Sequence, residues 1–388
     1  MQVSNGMPAG DQGHGSLHVM FILTSLTIGG SERKTVRIAN AMANRGWKVT
    51  LAYLDSPHSL RGEIVNSVNV IFLDRKGKFG FGALYRLAAS IRRQHIDIVC
   101  CINLYPLLYA FIARLFVGAA SFRLLATTNE THFVRKKDSL KMYLYAPILR
   151  HIDKVVFGSS YQKDFWVNEY RLNQAICVYI HNGVDVNAFR PSGSDKYGSD
   201  SIRHKLKIPD SGLLVGSIGR FRKEKRYQAV IKACVEIRAK GIDIYCLLVG
   251  GGFKEQQLKE LVAELKCSDY VFLLDAVDDV RNYLEAMDVF VLSSISETFS
   301  NAALEAMAMG VPVVLPDVGG CPEMVESGVN GFIYEAGKPE QFKEYLCLLG
   351  NDDKRRLEMG HEARRYVKQH FQFKTMVDSY ARIFESMF

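Results

Sequence analysis

Two glutamates in the second half of this 388-residue chain have a spacing that could bind a substrate rich in hydroxyl groups. Seven residues separate Glu297 from Glu305, and Ser300 between them is a good N-cap for the Ala/Leu/Met run that ends at Gly310. This pattern predicts a loop at Glu297 and a helix around Glu305. Carboxylates accept hydrogen bonds from sugar or ribose hydroxyls, and a helix N-terminus attracts phosphate.

A basic segment follows a predicted strand at 213–218 and contains five Lys or Arg residues between positions 220 and 226. Open α/β sheets bind ligands at the carboxyl ends of their strands. Arg220 can hold phosphate oxygens through two parallel N–H bonds, and Lys225 can add a second positive charge. Together they could stabilise a leaving diphosphate without a metal. Taken alone, the segment is more typical of a solvated basic loop before a helix.

A third candidate is the pair Gly29 and Gly30, where the first predicted strand passes into a helix. Glycines at such a junction let backbone N–H groups approach an anion, and the helix dipole adds to the attraction. A tight turn without a ligand explains them equally well. The G-x-G-x-x-G fingerprint and the P-loop motif are absent from the sequence, which disfavours a nicotinamide-dependent oxidoreductase.

Short apolar runs alternate with helix-length amphipathic segments along nearly the whole chain. Because these runs are apolar on both faces, they indicate parallel sheets covered by helices on both sides, a doubly wound α/β fold. Seven strands are predicted at 17–23, 49–54, 68–73, 96–102, 122–127, 154–157 and 176–180. Six more are predicted at 213–218, 244–249, 271–274, 289–292, 311–315 and 331–334.

Residues 191–211 are rich in Pro, Gly, Ser and charged residues and interrupt the alternation, so they are the predicted linker between two Rossmann-like domains. The domains are predicted at 17–190 and 212–370. Residues 1–16 are predicted to be a disordered or artificially added tail. A C-terminal helix at 371–388 is expected to pack back on the first domain.

The net charge of +8 is concentrated in the first half. Residues 1–190 contain 23 basic and 12 acidic residues, a balance of +11, which leaves −3 for the remainder. Such a surplus favours an anionic partner: lipid, nucleic acid or an anionic substrate. No nucleic-acid recognition motif accompanies the scattered basic residues, so nucleic acid is not a predicted partner.

The eight cysteines form no C-x-x-C pair, which predicts neither a zinc site nor a disulfide framework and favours a reducing compartment. The first sixteen residues lack the basic and apolar regions of a signal peptide. The longest uncharged apolar stretch, 98–113, is shorter than the roughly 20 residues that span a bilayer, and it predicts a buried strand followed by a buried helix. We therefore expect a cytoplasmic protein.

One basic and aromatic segment has two interpretations. Arg135, Lys136, Lys137 and Lys141 alternate with Phe133 and with the run from Met142 to Tyr145. The segment could form a helix that touches anionic lipid at the inner face of a membrane. It could equally be an ordinary amphipathic helix whose apolar side packs in the core. The sequence leaves both open.

Taken together, these segments resemble the E-x7-E family-4 retaining glycosyltransferases (glycosyl transferases group 1), which have the GT-B fold. After Glu297 and Glu305, the chain continues with Ala-Met-Ala-x-Gly-Val-Pro-Val-Val at 306–314 and Gly-Gly-Cys-Pro-Glu at 319–323. Further matching segments occur in the same order: Gly29-Gly30-Ser31-Glu32, His181-Asn182-Gly183-Val184-Asp185, Phe189-Arg190-Pro191, Gly219-Arg220 with Lys225, and Leu248-Val249-Gly250-Gly251-Gly252. Arg226 and Thr298 stand where family members often have glycine. The resemblance covers residues 17–370.

The resemblance implies two domains that face a central cleft, the second holding a nucleotide-sugar donor and the first an acceptor. Arg220 and Lys225 would bind the diphosphate, Glu305 the ribose hydroxyls, and Glu297 the donor sugar. Gly29 and Gly30 would lie near the diphosphate. Backbone groups of Thr298, Phe299, Ser300 and Asn301 would add contacts to phosphate, Asn182 would be a further substrate contact, and His132 would lie on the acceptor side.

The implied reaction moves a hexosyl-type sugar from a UDP-sugar or GDP-sugar to a glycan or lipid-linked acceptor, with retention of configuration and without a metal or other cofactor. Cell-envelope, exopolysaccharide or lipopolysaccharide assembly is the expected setting. Two alternatives remain: a nucleotide-sugar epimerase of related fold, and a non-catalytic, membrane-associated scaffold that binds sugar nucleotides. A glycoside hydrolase also uses two carboxylates, but it has no diphosphate for the basic loop to hold.

Overall fold

The computed structural model describes residues 17–77, 80–118, 121–132, 136–193 and 201–388, with the backbone alone for 136–139. The chain divides into two compact units. The first comprises Met1–Ile180 together with Val377–Phe388, and the second comprises His181–Met376.

The first unit contains a seven-stranded parallel sheet in the order β3-β2-β1-β4-β5-β6-β7. Its strands are β1 (His18–Ser25), β2 (Lys48–Asp55), β3 (Val68–Phe72), β4 (Ile98–Ile102), β5 (Arg123–Thr127), β6 (Lys154–Phe157) and β7 (Cys177–Tyr179). Its helices are α1 (Gly30–Asn44), α2 (Phe81–Arg93), α3 (Leu104–Val117), α4 (Lys136–Leu149) and α5 (Ser160–Tyr170). Helices α2 to α5 share one apolar core.

The second unit contains a six-stranded parallel sheet in the order β10-β9-β8-β11-β12-β13. Its strands are β8 (Leu213–Ile218), β9 (Ile244–Val249), β10 (Val271–Leu274), β11 (Val289–Val291), β12 (Val313–Pro316) and β13 (Gly331–Tyr334). Its helices are α6 (Ile202–Lys205), α7 (Tyr227–Ala239), α8 (Glu255–Glu264), α9 (Arg281–Ala286), α10 (Asn301–Ala308), α11 (Pro339–Asn351) and α12 (Asp353–His370). A last helix, α13 (Phe373–Glu385), begins in this unit.

These sheets confirm the predicted fold class of two doubly wound, Rossmann-like domains. Strands such as β8 and β9 are buried along nearly their whole length, as parallel strands covered on both faces must be. The apolar stretch at 98–113 forms β4 and most of α3. None of the helices among the described residues is long and apolar enough to cross a bilayer.

The first unit is completed by the far end of the chain. Phe384 on α13 lies with its ring centroid 6.1 Å from Phe21 of β1 and 6.2 Å from Trp47. Arg45, just after α1, pairs with Asp378 at 2.5 Å. The C-terminal helix therefore belongs to the core of the first unit from Val377 onward.

The second unit begins ten residues before the predicted boundary and includes part of the predicted linker. Arg203 on α6 is 1% exposed, and its guanidinium donates to Asp288 at 2.9 Å. Asp288 also accepts a hydrogen bond from the backbone N–H of Leu214, the second residue of β8. Within the predicted linker, Arg203 is thus buried and paired, which ties α6 to the sheet. Residues 194–200 lie outside the described part of the chain.

Candidate active site

The strand order of the second sheet creates a crevice between the loops after β8 and β11. From β8 the chain continues to β9 on one side, and from β11 it continues to β12 on the other. Loops that leave adjacent strands in opposite directions open a crevice at the carboxyl edge of the sheet, which is where doubly wound folds bind ligands. The loop after β8 contains Arg220 and Lys225, and the loop after β11 contains Glu297.

Lys225 and Glu297 meet at this point. The Lys225 ammonium donates to Oε1 of Glu297 at 2.6 Å, and the hydroxyl of Ser294 donates to the same oxygen at 2.7 Å. Glu297 is 9% exposed, so a charged partner is what makes its burial tolerable. The structure thus brings together two predicted site residues that are 72 positions apart in the chain.

Glu297 also keeps Lys225 charged. Burial by itself would lower the pKa of Lys225, but the attraction and hydrogen bond of the Glu297 carboxylate outweigh it and raise the pKa above its usual value. An ammonium has three N–H donors, and Glu297 takes one of them. A protonated lysine in this crevice is therefore equipped to donate to an anionic ligand.

The two loops are fastened to each other through their backbones. The hydroxyl of Ser293 donates to the carbonyls of Lys225 at 2.7 Å and of Arg226 at 3.0 Å. The N–H of Ile295 donates to the carbonyl of Glu224 at 2.9 Å. These bonds fix the lysine-bearing loop relative to the glutamate-bearing loop before any ligand binds.

Gly319 and Gly320, from the Gly-Gly-Cys-Pro-Glu segment, pack directly under the Glu297 loop. The N–H of Gly320 donates to the carbonyl of Thr298 at 3.0 Å. Gly319 has φ +57°, and a Cβ there would lie 1.7 Å from the carbonyl oxygen of Glu297. Only glycine fits this position, both for its backbone conformation and for the space available.

Phe299 contributes to the packing of the loop rather than to its exposed surface. Its ring is 4% exposed and stacks on His181 at 4.6 Å between centroids, while His181 pairs with Glu323 at 2.7 Å. The Asn182 side chain donates to the Phe299 carbonyl at 2.8 Å. Asn182 and Phe299, both predicted to bind substrate, are thus engaged with each other and hold the backbone between Glu297 and α10 in place.

Helix α10 begins as the sequence predicted. The hydroxyl of Ser300 accepts from the N–H of Ala303, which makes Ser300 the N-cap and Asn301 the first helical residue. Glu305 lies one turn inside this helix and is half-buried among apolar neighbours. The positive end of the α10 dipole thus points toward the loop that carries Glu297 and Thr298.

Arg220 is exposed directly after β8 and Gly219. An exposed guanidinium at the carboxyl end of this central strand lies at the edge of the sheet where a ligand in the crevice would bind. Arg226, at the end of the same loop, has φ +50°. This is the left-handed conformation that glycine adopts most easily.

The first unit has a comparable crevice, because β1 lies beside β4 and their connections leave in opposite directions. Gly29 is the N-cap of α1, with extended φ and ψ, and Gly30 is its first residue. Gly29 has no side chain that could cap this helix. The N-cap position therefore supplies no side-chain acceptor for the first N–H groups of α1.

His132 follows β5 and is half-buried. Its ring packs edge-on against Phe165 at 4.2 Å, and Nε2 lies 3.4 Å from the Tyr161 hydroxyl. Burial lowers the pKa of His132, with Glu169 opposing this, so the imidazole favours its neutral form. Its acceptor-side role stays a prediction.

Lys34 is a polar residue of the first crevice that the sequence analysis missed. Its ammonium donates to Oδ1 of Asn129 at 3.3 Å, and the Asn129 amide donates to Oδ1 of Asn103 at 3.0 Å. Burial lowers the pKa of Lys34 to about 8. Nothing in the local pattern distinguishes Lys34 from an exposed helix lysine, because its partners come from the ends of two other strands.

Ser293, Ser294, Gly319 and Glu323 were also not predicted as functional residues. The Gly-Gly-Cys-Pro-Glu segment was visible as a motif, but its role in supporting the Glu297 loop depends on a tertiary contact. The two serines could have been suspected from their place at the end of a buried strand, where polar residues line the crevice.

Comparison with known proteins gives a glycosyltransferase family for each half of the chain. Residues 198–366 match the family described as Glycosyl transferases group 1, and residues 28–188 match Glycosyltransferase Family 4. The structure also superimposes on the Anabaena protein HepE, solved in complex with UDP-glucose, with a TM-score of 0.82 at 20% identity, over 95% of this chain and 100% of that one.

Two curated relatives share more of the sequence over shorter stretches. N-acetyl-alpha-D-glucosaminyl L-malate synthase of Bacillus anthracis is 33% identical over 205 residues, which are 53% of this chain and 52% of that protein. The capsular polysaccharide biosynthesis glycosyltransferase CapM of Staphylococcus aureus is 31% identical over 198 residues, 49% of each. The match thus spans about half the length of these two relatives. Given the two family matches and the GT-B fold, the chain belongs to the family-4 (group 1) glycosyltransferases.

Proposed function

We propose that the protein is a retaining glycosyltransferase that moves a hexosyl-type sugar from a UDP-sugar or GDP-sugar to a glycan or lipid-linked acceptor. The observation that carries this proposal is the Lys225–Glu297 pair at the switch point of the second sheet. At this place the charged lysine can bind phosphate oxygens, and the neighbouring carboxylate can accept hydrogen bonds from sugar hydroxyls.

The second unit is the proposed donor site. Lys225 and Arg220 neutralise the diphosphate, Glu297 accepts hydrogen bonds from the donor sugar, and Glu305 accepts them from the ribose hydroxyls. Backbone groups from Thr298 to Asn301, at the start of α10, add contacts to phosphate. A UDP-sugar is the first candidate because HepE, which has the same fold, was solved with UDP-glucose.

In the proposed reaction the acceptor hydroxyl oxygen attacks the anomeric carbon on the face from which the diphosphate leaves. The bond between that carbon and the diphosphate oxygen breaks, and a phosphate oxygen takes the acceptor proton. Positive charge from Lys225 and Arg220 stabilises the leaving group, so no metal is assigned to the site. Fixed positive charge of this kind lowers the barrier because it requires little reorganisation during the reaction.

The first unit is the proposed acceptor domain, with Gly29, Gly30 and His132 as its candidate residues. Similarity to CapM, which is named for capsular polysaccharide biosynthesis, supports a setting in cell-envelope polysaccharide or lipopolysaccharide assembly. The surplus of basic residues in 1–190 suits an acceptor that carries phosphate or another anion.

Peripheral binding to the inner face of a membrane is part of the same proposal. Helix α4 buries Met142 and Tyr145 in the core but leaves Tyr143 83% exposed and Leu140 63% exposed. The helix therefore has features of both interpretations of its sequence. Phe133 and Arg135 lie outside the described residues, and so do the side chains of Lys136 and Lys137.

The donor is tested by thermal shift with UDP, GDP and ADP and their sugars, since a ligand that binds the native state raises its stability. We expect a shift with UDP or GDP that is lost in Lys225→Ala. Transfer is then followed with the stabilising sugar nucleotide and a panel of acceptors, and the anomeric proton couplings of the product report the configuration. If no nucleotide shifts the melting temperature, the proposed donor site is wrong. A shift without transfer to any acceptor would favour the non-catalytic scaffold, and an inverted product would contradict retention.

A further inference from the structure

Helix α3 is too apolar for an ordinary surface helix. Its sequence, LYPLLYAFIARLFV, has one charged residue, Arg114. One side packs into the core through residues such as Leu107 and Ala110, but Leu115 is 72% exposed and Phe116 is 69% exposed. A helix at a water-facing surface normally presents polar residues on its outer side. The outer side of α3 is apolar instead.

Helix α2 packs beside α3 and has the same kind of outer surface. Phe81 is 74% exposed and Tyr85 is 72% exposed, one turn apart on the same side of the helix. Between the two helices lies a groove of about 480 Å³. It is lined mainly by Phe81, Leu84, Tyr85, Ala88, Phe116 and Val117.

The apolar surface extends across three neighbouring helices. Of the 14 large apolar side chains that are exposed in the described part of the chain, seven lie on α2, α3 and α4. These helices adjoin one another on the same core. Single exposed apolar residues are ordinary, but a cluster of this kind on one surface marks an interaction site.

Charge decides between the candidate partners. The groove ends at Arg92 and Arg93, both exposed, and neither α2 nor α3 contains an acidic residue. A second copy of the chain, docked through the same patch, would bring arginines but no carboxylates from these helices to face them. Aromatic side chains flanked by arginine instead match the interface of an anionic bilayer, where rings insert among the headgroups and guanidinium groups meet phosphate.

We propose that the outer faces of α2 and α3 are a membrane-docking surface, which inserts Phe81, Tyr85 and Phe116 into the interface of an anionic bilayer while Arg92 and Arg93 bind lipid phosphates. The proposal rests on the membrane association proposed above and names a surface for it on α2 and α3, beside the helix α4 in which most of the basic segment lies. Binding to lipid is measured without donor or acceptor, so its outcome is independent of whether the protein transfers sugar.

The first test is co-sedimentation of the full chain with phosphatidylcholine vesicles that either contain or lack phosphatidylglycerol. We expect binding to the anionic vesicles, and a loss of about tenfold or more in the triple variant Phe81→Ser/Tyr85→Ser/Phe116→Ser. The matched control is Phe253→Ser, which alters a side chain that is 96% exposed in the second unit. Unfolding by heat checks that the variants are folded, which is expected because all three replaced side chains are largely exposed.

The charge component is tested with Arg92→Glu/Arg93→Glu. Each basic residue near an anionic surface raises the partition coefficient about fivefold. Removing two positive charges should therefore weaken binding by about 25-fold, and replacing them with negative charges should weaken it further. The same change should leave partitioning into pure phosphatidylcholine unaltered. Equal binding of parent and variant to anionic vesicles would overturn the electrostatic part of the proposal.

Insertion itself is read out by fluorescence. Tyr85→Trp puts an indole in the groove, and Phe253→Trp is the control at an exposed site of the second unit. We expect brominated phosphatidylglycerol to quench the indole at position 85 and not the one at 253, relative to the parent chain. Equal quenching of the two would overturn the proposal. So would a dimer in sedimentation equilibrium that the triple serine variant dissociates, because the groove would then be a contact between copies of the chain.

Discussion

The ammonium of Lys225 is held 2.6 Å from the carboxylate of Glu297, although the two residues come from loops after different strands. The first prediction concerns this pair. Lys225→Ala and Glu297→Gln should each lower kcat by about 10²- to 10³-fold, because each removes a preorganised charge from the proposed site. Lys225→Ala should also lower stability, since Glu297 then remains buried without its cation.

Steady-state kinetics and urea unfolding measure both effects. Lys232→Ala is the control, because Lys232 is an exposed residue in the middle of α7. Full turnover in Lys225→Ala or Glu297→Gln would remove that residue from the catalytic machinery.

The second prediction concerns the support under the Glu297 loop. Gly319→Ala should destabilise the protein by about 2 kcal/mol or more and reduce activity, because the new methyl group would collide with the carbonyl of Glu297. Gly328→Ala separates the effect of the collision from the effect of the backbone conformation. Gly328 also has positive φ, +86°, but a Cβ there meets nothing within 4 Å. That variant should lose about 1 kcal/mol and keep its activity. If both variants behave alike in activity, contact with Glu297 is unimportant.

The third prediction concerns Arg226, an exposed non-glycine residue with φ +50°. Arg226→Gly should stabilise the protein by up to about 1 kcal/mol, because glycine adopts this conformation without strain, although it gains freedom in the unfolded chain. Arg226→Ala keeps the strain and removes the charge, so it should not stabilise. The melting temperatures of the parent and the two variants test this prediction. A higher melting temperature in Arg226→Ala would instead indicate that charge repulsion in the basic loop destabilises the parent.

The fourth prediction concerns the buried pair of Arg203 and Asp288. Arg203→Met should destabilise the second unit by about 3 to 5 kcal/mol, because Asp288 is left buried without its partner. Lys205→Met, two residues along the same short helix at an exposed position, should change stability by less than about 0.5 kcal/mol. Urea unfolding measures both. Equal effects would mean that residues 201–211 act as the loosely attached linker that their composition suggested.

The fifth prediction concerns the pH dependence that Lys34 confers. Its pKa in the folded protein, about 8, lies below the lysine value of about 10.4 in an unfolded chain. Between these two pKa values the unfolded chain binds more protons than the folded protein, so the Lys34 contribution makes the free energy of unfolding rise with pH. Below about pH 8 Lys34 is charged in the folded protein as well, and its burial then destabilises the protein by the full amount. Cys100 and Glu32 face the ammonium and oppose the shift.

Lys34→Met should therefore gain stability relative to the parent at pH 7, by about 2 kcal/mol, and this gain should fade as the pH approaches 10. Urea unfolding across this range, with Arg37→Met on the exposed side of α1 as the control, measures it. A constant difference between Lys34→Met and the parent at all pH values would contradict the lowered pKa.

The fold could be predicted from the sequence because parallel strands with helical crossovers are local, periodic features. The runs that form β8, β9 and β10 were predicted to the residue. The same holds for the Ser300 N-cap, which depends on its neighbours in sequence alone. These features need no knowledge of which strand lies beside which.

Features that depend on long-range contacts could not be predicted from the sequence. The sequence could place Lys225 and Glu297 at the ends of strands, but their contact depends on β8 lying beside β11. Phe299 and Asn182 looked like binding residues in the pattern, and only the packed structure shows their hydrogen bond. Arg203 was concealed in a polar segment, since composition does not reveal that one arginine among exposed neighbours is buried.

The packing of Phe384 against Phe21 and Trp47 has a consequence for the order of folding. On the ribosome, β1 to β7 emerge well before residues 377–388 are synthesised, so the nascent first unit carries an uncovered aromatic patch while the whole second unit is being made. The first unit can acquire its full stability only afterwards. The interval in which the growing chain would benefit most from a chaperone is thus set by the length of the second unit inserted between the two parts of the first.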